Sequence, residues 1–391
     1  MKAIYVPKKL KILYHHRIAA QDGQSVHIHE LTKAFKALGH ELIFVGPSLR
    51  PKEFGDENKF LDLVRKILPH FAQEFLELLY GRHAYKKLKL AYDTHKPDLL
   101  YERHNLFLTA GSKLKRETGI PYLVEVNAPL MEERSKYNGL HLKAIATKME
   151  EDTWRAADMN FPVSNVLADK LRTKGVREDQ ITVMHNGINY EDFDSIDQNR
   201  IREQYGLTGK TVLGFTGFLR EWHKLERIVE LISNFEEDNS PHLLVVGEGP
   251  SVISCKELAE KLGISHRVHF TGFVKRESIP EYLAAMDIAL QPAVTDYASP
   301  LKIFEYMYSG LATIAPDQPN IREILTDQKD ALLFTPRDFD QIESLIMQLV
   351  NDRELRERIG KQAKTAISDE GYLWLENAKR IIEIGERFIS S

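Results

Sequence analysis

The chain has 391 residues, which is more than one hydrophobic core normally supports, so we expect two domains of ordinary size. Hydrophobic residues make up 43% and charged residues 28%, which excludes a largely disordered chain. The formal net charge of −4 gives no electrostatic reason to expect a nucleic-acid-binding protein, because those usually carry a strong basic excess.

The single cysteine, Cys255, excludes an intrachain disulfide and the thiolate ligand sets of zinc cages and iron–sulfur clusters. This is typical of a protein of the reducing cytoplasm, which is the location we expect. Lys8, Lys9 and Lys11 interrupt the N-terminal residues and leave no apolar core of signal-peptide length. Because no run of eighteen apolar residues occurs either, we expect neither secretion nor a membrane span.

Short apolar runs alternate with longer segments of helical period in the first half, which is typical of parallel sheets covered by helices. A helix is predicted near 25–38, because Ile28, Leu31 and Phe35 recur at helical spacing and Gly39 follows as a C-terminal cap. Strands are predicted at 11–15, 41–45, 98–102, 121–126 and 159–163.

Residues 52–95 also have a helical period and are rich in Phe, Leu and Tyr. Their basic residues are Arg65, Lys66, Arg82, Lys86, Lys87 and Lys89. A solvated charged face above a buried stripe is the favoured interpretation. The alternative is an interfacial helix that contacts anionic lipid, which would make this a peripheral protein at the inner face of the membrane.

The second half repeats the alternation, with a helix predicted near 224–236. Strands are predicted at 211–217, 242–249, 267–273, 287–292 and 311–316. The fold class is therefore α/β, with two Rossmann-like, doubly wound parallel-sheet domains that face a central cleft. Ligands of such sheets bind outside the carboxyl ends of the strands.

Apolar density falls in residues 185–200, where Asn, Gly and Asp accumulate, and this indicates the junction between the domains. We expect an N-terminal domain over 1–195 and a C-terminal domain over 196–371. An amphipathic helix within 372–391 is expected to pack back across the junction. Its apolar side consists of Trp374, Ala378, Ile381, Ile382 and Ile384.

The segment "ASPLKIFEYMYSG" (298–310) predicts a helix over about 300–309. Ser299 is suited to the N-cap, Pro300 to the first helical position and Gly310 to a left-handed C-terminal position. The helix start would then offer free N–H groups and a partial positive charge to an anion. Lys302 and Glu305 are three residues apart and share a face; periodicity alone favours a surface ion pair.

Two glycine turns after predicted strands add candidate ligand contacts. In "GFTGFLREWHKLE" (214–226), Gly217 ends a strand, and Arg220, His223 and Lys224 follow where the next helix begins. Cations at that position can bind a diphosphate. In "VVGEGP" (245–250), Gly247 and Gly249 flank Glu248 and form a turn that a ligand can approach closely.

In this order and spacing, the motifs resemble the GT-B glycosyltransferases of family 4 (glycosyl transferases group 1), a retaining group with bacterial mannosyl-, glucosyl- and N-acetylhexosaminyltransferases. The resemblance covers nearly the whole chain. The segments that carry it are "DGQSVHIHELTKAFKALGHELIFVG" (22–46), "VMHNGINYEDF" (183–193), "VHFTGFV" (268–274) and "SPLKIFEYMYSGLATIA" (299–315).

The resemblance implies roles for three catalytic-site residues. Glu305 would accept hydrogen bonds from the ribose diol of a sugar nucleotide, because a carboxylate offers two acceptor oxygens. Arg220 and Lys302 would stabilise the charge on its diphosphate. Further donor contacts are implied for Gly217, His223, Lys224, Gly247, Glu248, Val274, Tyr297, Ser299, Pro300 and Leu301. On the acceptor side, the implied residues are Gly23, Gln24, Glu125 and Asn127.

The chain departs from the family pattern at several positions. Tyr297 stands where the family has a glutamate that contacts the donor sugar, and Asp296 is the alternative acid. His223 occupies the position of the family's lysine, and Arg220 is displaced by two residues. Asn127 replaces a common histidine. For Glu125, a hydrogen-bonded structural role is an open alternative.

The resemblance implies a retaining glycosyltransferase that moves a hexose-type sugar from a nucleotide-diphosphate sugar to a hydroxyl of a glycan or lipid-linked acceptor. No cofactor or metal is expected, because protein cations would neutralise the leaving group, and no nucleic-acid partner is expected. Two alternatives remain: a GT-B sugar-nucleotide epimerase or hydrolase, and an inactive paralogue that binds the nucleotide sugar. Nothing in the sequence indicates the oligomeric state.

Three weaker patterns point elsewhere. "HIHELTK" has Lys33 in place of the second histidine of a zinc-binding HExxH motif, which argues against zinc hydrolysis. "DFD" (192–194) is interpreted as turn and capping residues rather than a metal site. His15, His16 and Arg17 follow the first strand, and a solvated loop is the favoured interpretation for them.

Overall fold

The computed structural model describes residues 9–18, 23–47, 69–137, 139–193, 196–197, 199–236 and 240–389. The chain divides into two compact units, one of residues 1–185 with 374–391 and the other of residues 186–373. The predicted boundary between 195 and 196 lies inside the second unit. The C-terminal helix, which was predicted to pack back across the junction, is part of the first unit.

A five-stranded parallel sheet forms the centre of the first unit, with the order β2-β1-β3-β4-β5. Its strands are β1 (Lys11–His15), β2 (Glu41–Val45), β3 (Leu99–Arg103), β4 (Tyr122–Val126) and β5 (Met159–Pro162). Before residue 186, its helices are α1 (Gly23–Ala37), α2 (His70–His95), α3 (Ala110–Thr118), α4 (Leu130–Tyr137), α5 (Lys143–Ala156) and α6 (Asn165–Thr173). All five strands predicted in this half are confirmed.

A six-stranded parallel sheet forms the second unit, with the order β11-β10-β9-β6-β7-β8. Its strands are β6 (Val212–Thr216), β7 (His242–Val246), β8 (Val268–Phe270), β9 (Ile288–Leu290), β10 (Ala312–Pro316) and β11 (Leu332–Phe334). Its helices are α7 (Arg200–Gln204), α8 (Leu225–Ser233), α9 (Ser251–Lys261), α10 (Ile279–Ala284), α11 (Leu301–Tyr308), α12 (Pro319–Arg322), α13 (Phe339–Asn351) and α14 (Arg353–Asp369). The sequence analysis did not identify β11.

The last helix, α15 (Trp374–Ile389), packs on α1 in the first unit. The ring centroids of Trp374 and His27 lie 4.6 Å apart, and Asn377 Nδ2 donates to the His185 carbonyl over 2.8 Å. Its predicted apolar side is confirmed: all five of those side chains are buried. Among the helices of the described residues, none is both long and apolar enough to cross a bilayer.

Candidate active site

Helix α11 is held against the sheet of the second unit by a face that is completely buried. Ile303, Phe304, Tyr306 and Met307 have no solvent exposure. The hydroxyl of Tyr306 accepts a hydrogen bond from the backbone N–H of Thr216, at the end of β6, over 2.9 Å. The position of the α11 backbone is therefore set by packing and by a direct bond to the central strand.

Glu305 lies on this helix and is also buried, with 5% of its surface exposed. Its carboxylate forms an ion pair with Arg276, which begins a short helical turn before α10. A surface Lys302–Glu305 pair, which periodicity alone favoured, is therefore wrong. The sequence analysis did not select Arg276, because 29 residues separate it from Glu305 and no local pattern links them.

The start of α11 differs from its prediction. Helix α11 begins at Leu301, and Pro300 occupies the cap position with φ −70° and ψ 119°. Ser299 does not cap the helix, because its hydroxyl accepts from the N–H of Asn186 over 3.1 Å, and Asn186 Nδ2 donates to the Ser299 carbonyl. Among the described residues no side chain caps α11, so none of these side chains accepts from its first N–H groups. The predicted left-handed Gly310 is confirmed, with φ +70°.

The loop that enters α11 is tied down by Asn320. This completely buried side chain donates from Nδ2 to the carbonyls of Thr295 and Ala298, over 3.0 and 2.7 Å. Tyr297 lies in the turn between these carbonyls and is partly buried, whereas the neighbouring Asp296 is exposed. Tyr297, which stands at the position where the family has a glutamate, therefore lies in a turn that the hydrogen bonds of Asn320 hold in place.

The ammonium group of Lys302 lies inside the unit, although part of the residue's surface is exposed. Its Nζ is 4.0 Å from the centroid of the Phe215 ring, and a side-chain carbon added at Gly217 would lie 3.2 Å from it. Burial lowers the pKa of Lys302 to about 7, against the opposing effect of Glu305. Among the described residues no acceptor bonds to this Nζ. Lys302 therefore faces the glycine turn after β6 as a desolvated amine that is only partly protonated near neutral pH.

The two glycine turns contact each other. The N–H of Gly217 donates to the Val246 carbonyl over 2.9 Å, and the N–H of Leu219 donates to the Glu248 carbonyl over 2.7 Å. Gly247 has φ +135°, and a side chain there would collide with the Gly217 carbonyl oxygen. Gly247 is thus required by the contact between the turns as well as by its own backbone conformation.

Arg220 is held between two exposed aromatic rings. Its guanidinium carbon lies 5.0 Å from the Phe218 centroid and 4.9 Å from that of Trp222, at cation–π distance. The adjacent Lys224 is turned back toward Glu221, at 3.7 Å. The rings of Phe218 and Trp222 therefore orient the guanidinium group of Arg220, whereas Lys224 is directed toward a carboxylate.

His223 is neutral, which differs from the cationic role suggested by its position. Burial, followed by the charges of Lys302 and Arg220, lowers the pKa of His223 to about 3. Its Nδ1 accepts from the Arg220 N–H over 3.1 Å, so the ring proton is on Nε2. His223 can therefore donate a hydrogen bond from Nε2.

The loop after β8 contains Val274, and it contacts Glu248, which lies in the turn after β7. Glu248 Oε1 accepts from the N–H of Phe273 over 3.1 Å. Val274 packs beside a buried apolar cluster of this unit, which includes Leu244 and Met286. The structure therefore brings Glu248 to the same short loop that contains Arg276.

The predicted acceptor-side residues lie in the first unit, and Glu125 is enclosed there. It is 2% exposed, lies 3.0 Å from His27 Nε2, and is also bonded by Arg103, Asn127 and the hydroxyl of Tyr101. Burial alone would raise the pKa of Glu125, but His27, Arg103 and the hydrogen bonds lower it to about 2. This is the structural role that the sequence left open.

The other residues near the ends of the first unit's strands are of two kinds. His15 and His16 are buried, so a solvated loop is wrong for them; His15 Nδ1 bonds to Glu102 over 2.6 Å. Burial lowers the pKa of His16 to about 4. By contrast, Gly23 and Gln24 are the exposed first residues of α1.

In the part of the chain that the structure describes, no group of three or more His, Cys, Asp or Glu side chains could hold a metal ion. Metal independence stays a prediction. Of the "DFD" motif, Asp194 lies outside the described residues, as do Arg65 and Lys66 of the basic segment.

Two family models match the chain and together cover most of it. The model described as Glycosyl transferases group 1 matches residues 197–366, and the model described as Glycosyltransferase Family 4 matches residues 21–192. The chain belongs to the family 4 glycosyltransferases. The donor-domain motifs and the opening glycine segment, which carried the resemblance, both lie inside these matches.

Individual relatives of this glycosyltransferase are distant, and some of them match over nearly their full length. An uncharacterised glycosyltransferase of Methanocaldococcus jannaschii, MJ1069, is 22% identical over 380 residues, which cover 94% of this chain and 95% of the relative. Solved structures of Anabaena HepE with UDP-glucose and of sucrose-phosphate synthase from Thermosynechococcus elongatus have TM-scores of 0.74 and 0.77, at 18% and 15% identity. Each covers 98% of this chain and the whole of the other chain. The GT-B fold is confirmed.

Proposed function

We propose that this glycosyltransferase moves a hexose-type sugar from a nucleoside diphosphate sugar to an acceptor hydroxyl, with retention and without a metal ion. The observation that carries the proposal is the desolvated ammonium group of Lys302, which faces Gly217 and has no acceptor among the described residues. A buried amine with no bonded acceptor is poised to receive an anion. HepE was solved with UDP-glucose, which supports a nucleoside diphosphate sugar as the donor.

The chemistry of the site suits departure of a diphosphate. Charge develops on the leaving phosphate in the transition state, and preorganised cations in a dry site stabilise that charge strongly. Lys302 and Arg220 would supply the cations, and His223 Nε2 a neutral donor. The uncapped start of α11 adds N–H groups and a partial positive charge. These groups would perform the charge neutralisation that a divalent cation performs in other transferases.

Retention follows if the departing phosphate oxygen takes the proton of the acceptor hydroxyl. The acceptor then attacks from the face that the phosphate leaves, and no separate base is required. Glu305 would bind the ribose diol, and its fixed helix would place the diphosphate next to Lys302. The proposal therefore assigns binding to Glu305 and charge stabilisation to Lys302 and Arg220.

The test is nucleotide release from UDP-, GDP- and ADP-sugars, with and without glycan or lipid extract. Release that requires acceptor supports transfer. Release that continues at the same rate in the presence of a chelator supports a reaction without a metal ion. Release without acceptor indicates an epimerase or hydrolase, and tight binding without turnover indicates an inactive paralogue.

Arg220→Ala should lower kcat strongly at unchanged melting temperature. The matched control is Arg227→Ala, an exposed arginine that pairs with Glu230 on α8; equal rates for the two variants would remove Arg220 from the site.

A lipid-linked acceptor is favoured over a soluble one by the exposed face of α2. Its first half exposes Phe71, Phe75, Leu76 and Leu79, at 41–57%, and its second half exposes basic residues that include Arg82, Lys86 and Lys87. Apolar side chains beside cations suit the surface of an anionic bilayer. Sedimentation with phosphatidylglycerol vesicles, but not with phosphatidylcholine vesicles, is the expected result. Binding that survives Phe71→Ser with Phe75→Ser would contradict this acceptor class.

A further inference from the structure

Within the described part of the chain, the carboxylate of Glu305 is engaged on one side only. Arg276 Nη1 bonds to Oε1, and among the described residues no donor bonds to Oε2. A carboxylate that must accept two adjacent ribose hydroxyls needs a defined orientation as well as free lone pairs. One guanidinium bond leaves lone pairs on both oxygens and restricts the rotation of the group.

The backbone below Glu305 cannot supply that orientation alone. Packing of α11 and the Tyr306–Thr216 bond fix where the side chain begins, but they do not set the rotation of the carboxylate group at its end. Arg276 is that partner, and 34% of its own side-chain surface remains exposed. It therefore lies between the solvent and a buried carboxylate.

Residues 272–276 connect the two acids that were predicted to contact the donor. At one end of this loop, the N–H of Phe273 donates to Glu248. At the other end, Arg276 holds Glu305. Val274 between them is anchored on a buried apolar cluster. A single short loop thus sets the orientation of both carboxylates.

We propose that Arg276 is a positioning residue for the donor nucleotide, which holds Glu305 in the orientation that accepts the ribose 2′- and 3′-hydroxyls. This inference rests on the proposed function of the site. It identifies a determinant of ribose recognition that lies outside α11. The ligand class that it selects is a ribonucleoside diphosphate over its deoxy counterparts.

The test compares dissociation constants of a nucleoside diphosphate and its 2′,3′-dideoxy form, for whichever of UDP, GDP and ADP the wild type binds. Hydrogen bonds to a charged group predict an affinity ratio of about tenfold or more in the wild type. Arg276→Met should bring the ratio close to one and leave the dideoxy affinity within about twofold, because only the ribose contact is lost. Arg276→Lys should restore part of the ratio.

Three comparisons keep the result interpretable. Glu305→Ala should also bring the affinity ratio close to one, and adding Arg276→Met to this variant should not change the ratio further. Arg353→Met is the matched control, because Arg353 forms an exposed pair with Glu357. Melting temperatures identify a variant that fails to fold, and then Arg276→Lys is the deciding variant.

A ratio that Arg276→Met leaves unchanged, while Glu305→Ala abolishes it, overturns the role of Arg276 and leaves the proposed function intact. Equal losses for both nucleotides also overturn it, because Arg276 would then act on the base or the phosphates. If the wild type binds none of the three nucleotides, the proposed function fails, and the inference fails with it.

Discussion

Donor binding should take up a proton at Lys302. In the free protein, burial lowers the pKa of this amine from 10.5 to about 7. A bound diphosphate places negative charge beside it and should raise that pKa again. At pH 8 about one-tenth of the lysine is protonated beforehand, so binding should take up about 0.9 proton. At pH 6 the lysine is already charged, and uptake should be about 0.1 proton.

The same linkage gives the direction of the pH dependence. Because the protonated amine is the binding form, donor affinity should fall as pH rises through 7. The fall should be up to about fivefold between pH 7 and 8 if the neutral amine does not bind. His223 does not interfere, because burial together with the nearby Lys302 and Arg220 holds its pKa near 3.

The assay is isothermal titration calorimetry of an intact nucleotide sugar in buffers of different ionisation enthalpy. An intact sugar nucleotide is required, because the terminal phosphate of a free nucleoside diphosphate titrates in the same pH range. Lys302→Met, which keeps the length of the side chain, should abolish the uptake at pH 8. Uptake that is near zero at pH 8 in the wild type, or that persists in Lys302→Met, would refute the assignment of the proton to Lys302.

Two further predictions concern stability. Gly247→Ala should lower the free energy of unfolding by more than the strain of a positive φ alone, which costs about 1–3 kcal/mol, because the added methyl group also collides with Gly217. Gly209→Ala is its control, since Gly209 has φ +74° but open space around it; equal losses in denaturant titrations would contradict the collision. Glu125→Gln should cost about 3–5 kcal/mol, because it removes the buried negative charge that pairs with Arg103. Its donor affinity should stay unchanged, and an unaltered unfolding curve would count against the buried network.

The stability loss caused by Glu125→Gln should depend on pH, and the direction follows from the pKa of Glu125. The pKa of Glu125 is lowered to about 2, so its contribution to stability is present above the ordinary carboxyl pKa and is lost as pH falls toward 2. The difference between wild type and Glu125→Gln should therefore shrink in acid, which thermal melts at neutral pH and at pH 3 would measure.

Much of the fold followed from local pattern. Ten strands and the helices at 25–38 and 224–236 were predicted from runs and periods that a few neighbouring residues carry. The strand β11 was missed, although β8 and β9, which are equally short, were predicted. The order β11-β10-β9-β6-β7-β8 could not be read from the chain, because strand order depends on pairing between distant segments.

The sequence by itself determined the family, the alternation of strands and helices, and the presence of an acid at 305 within an apolar helix. Only the tertiary structure decided what surrounds that acid: Arg276, 29 residues away, is its partner, and Ser299 bonds to Asn186, 113 residues away, instead of capping α11. It also decided that Glu125 is enclosed and that His223 is neutral. Burial, desolvation and ion pairing depend on contacts between distant segments, and the order of residues along one segment does not specify them.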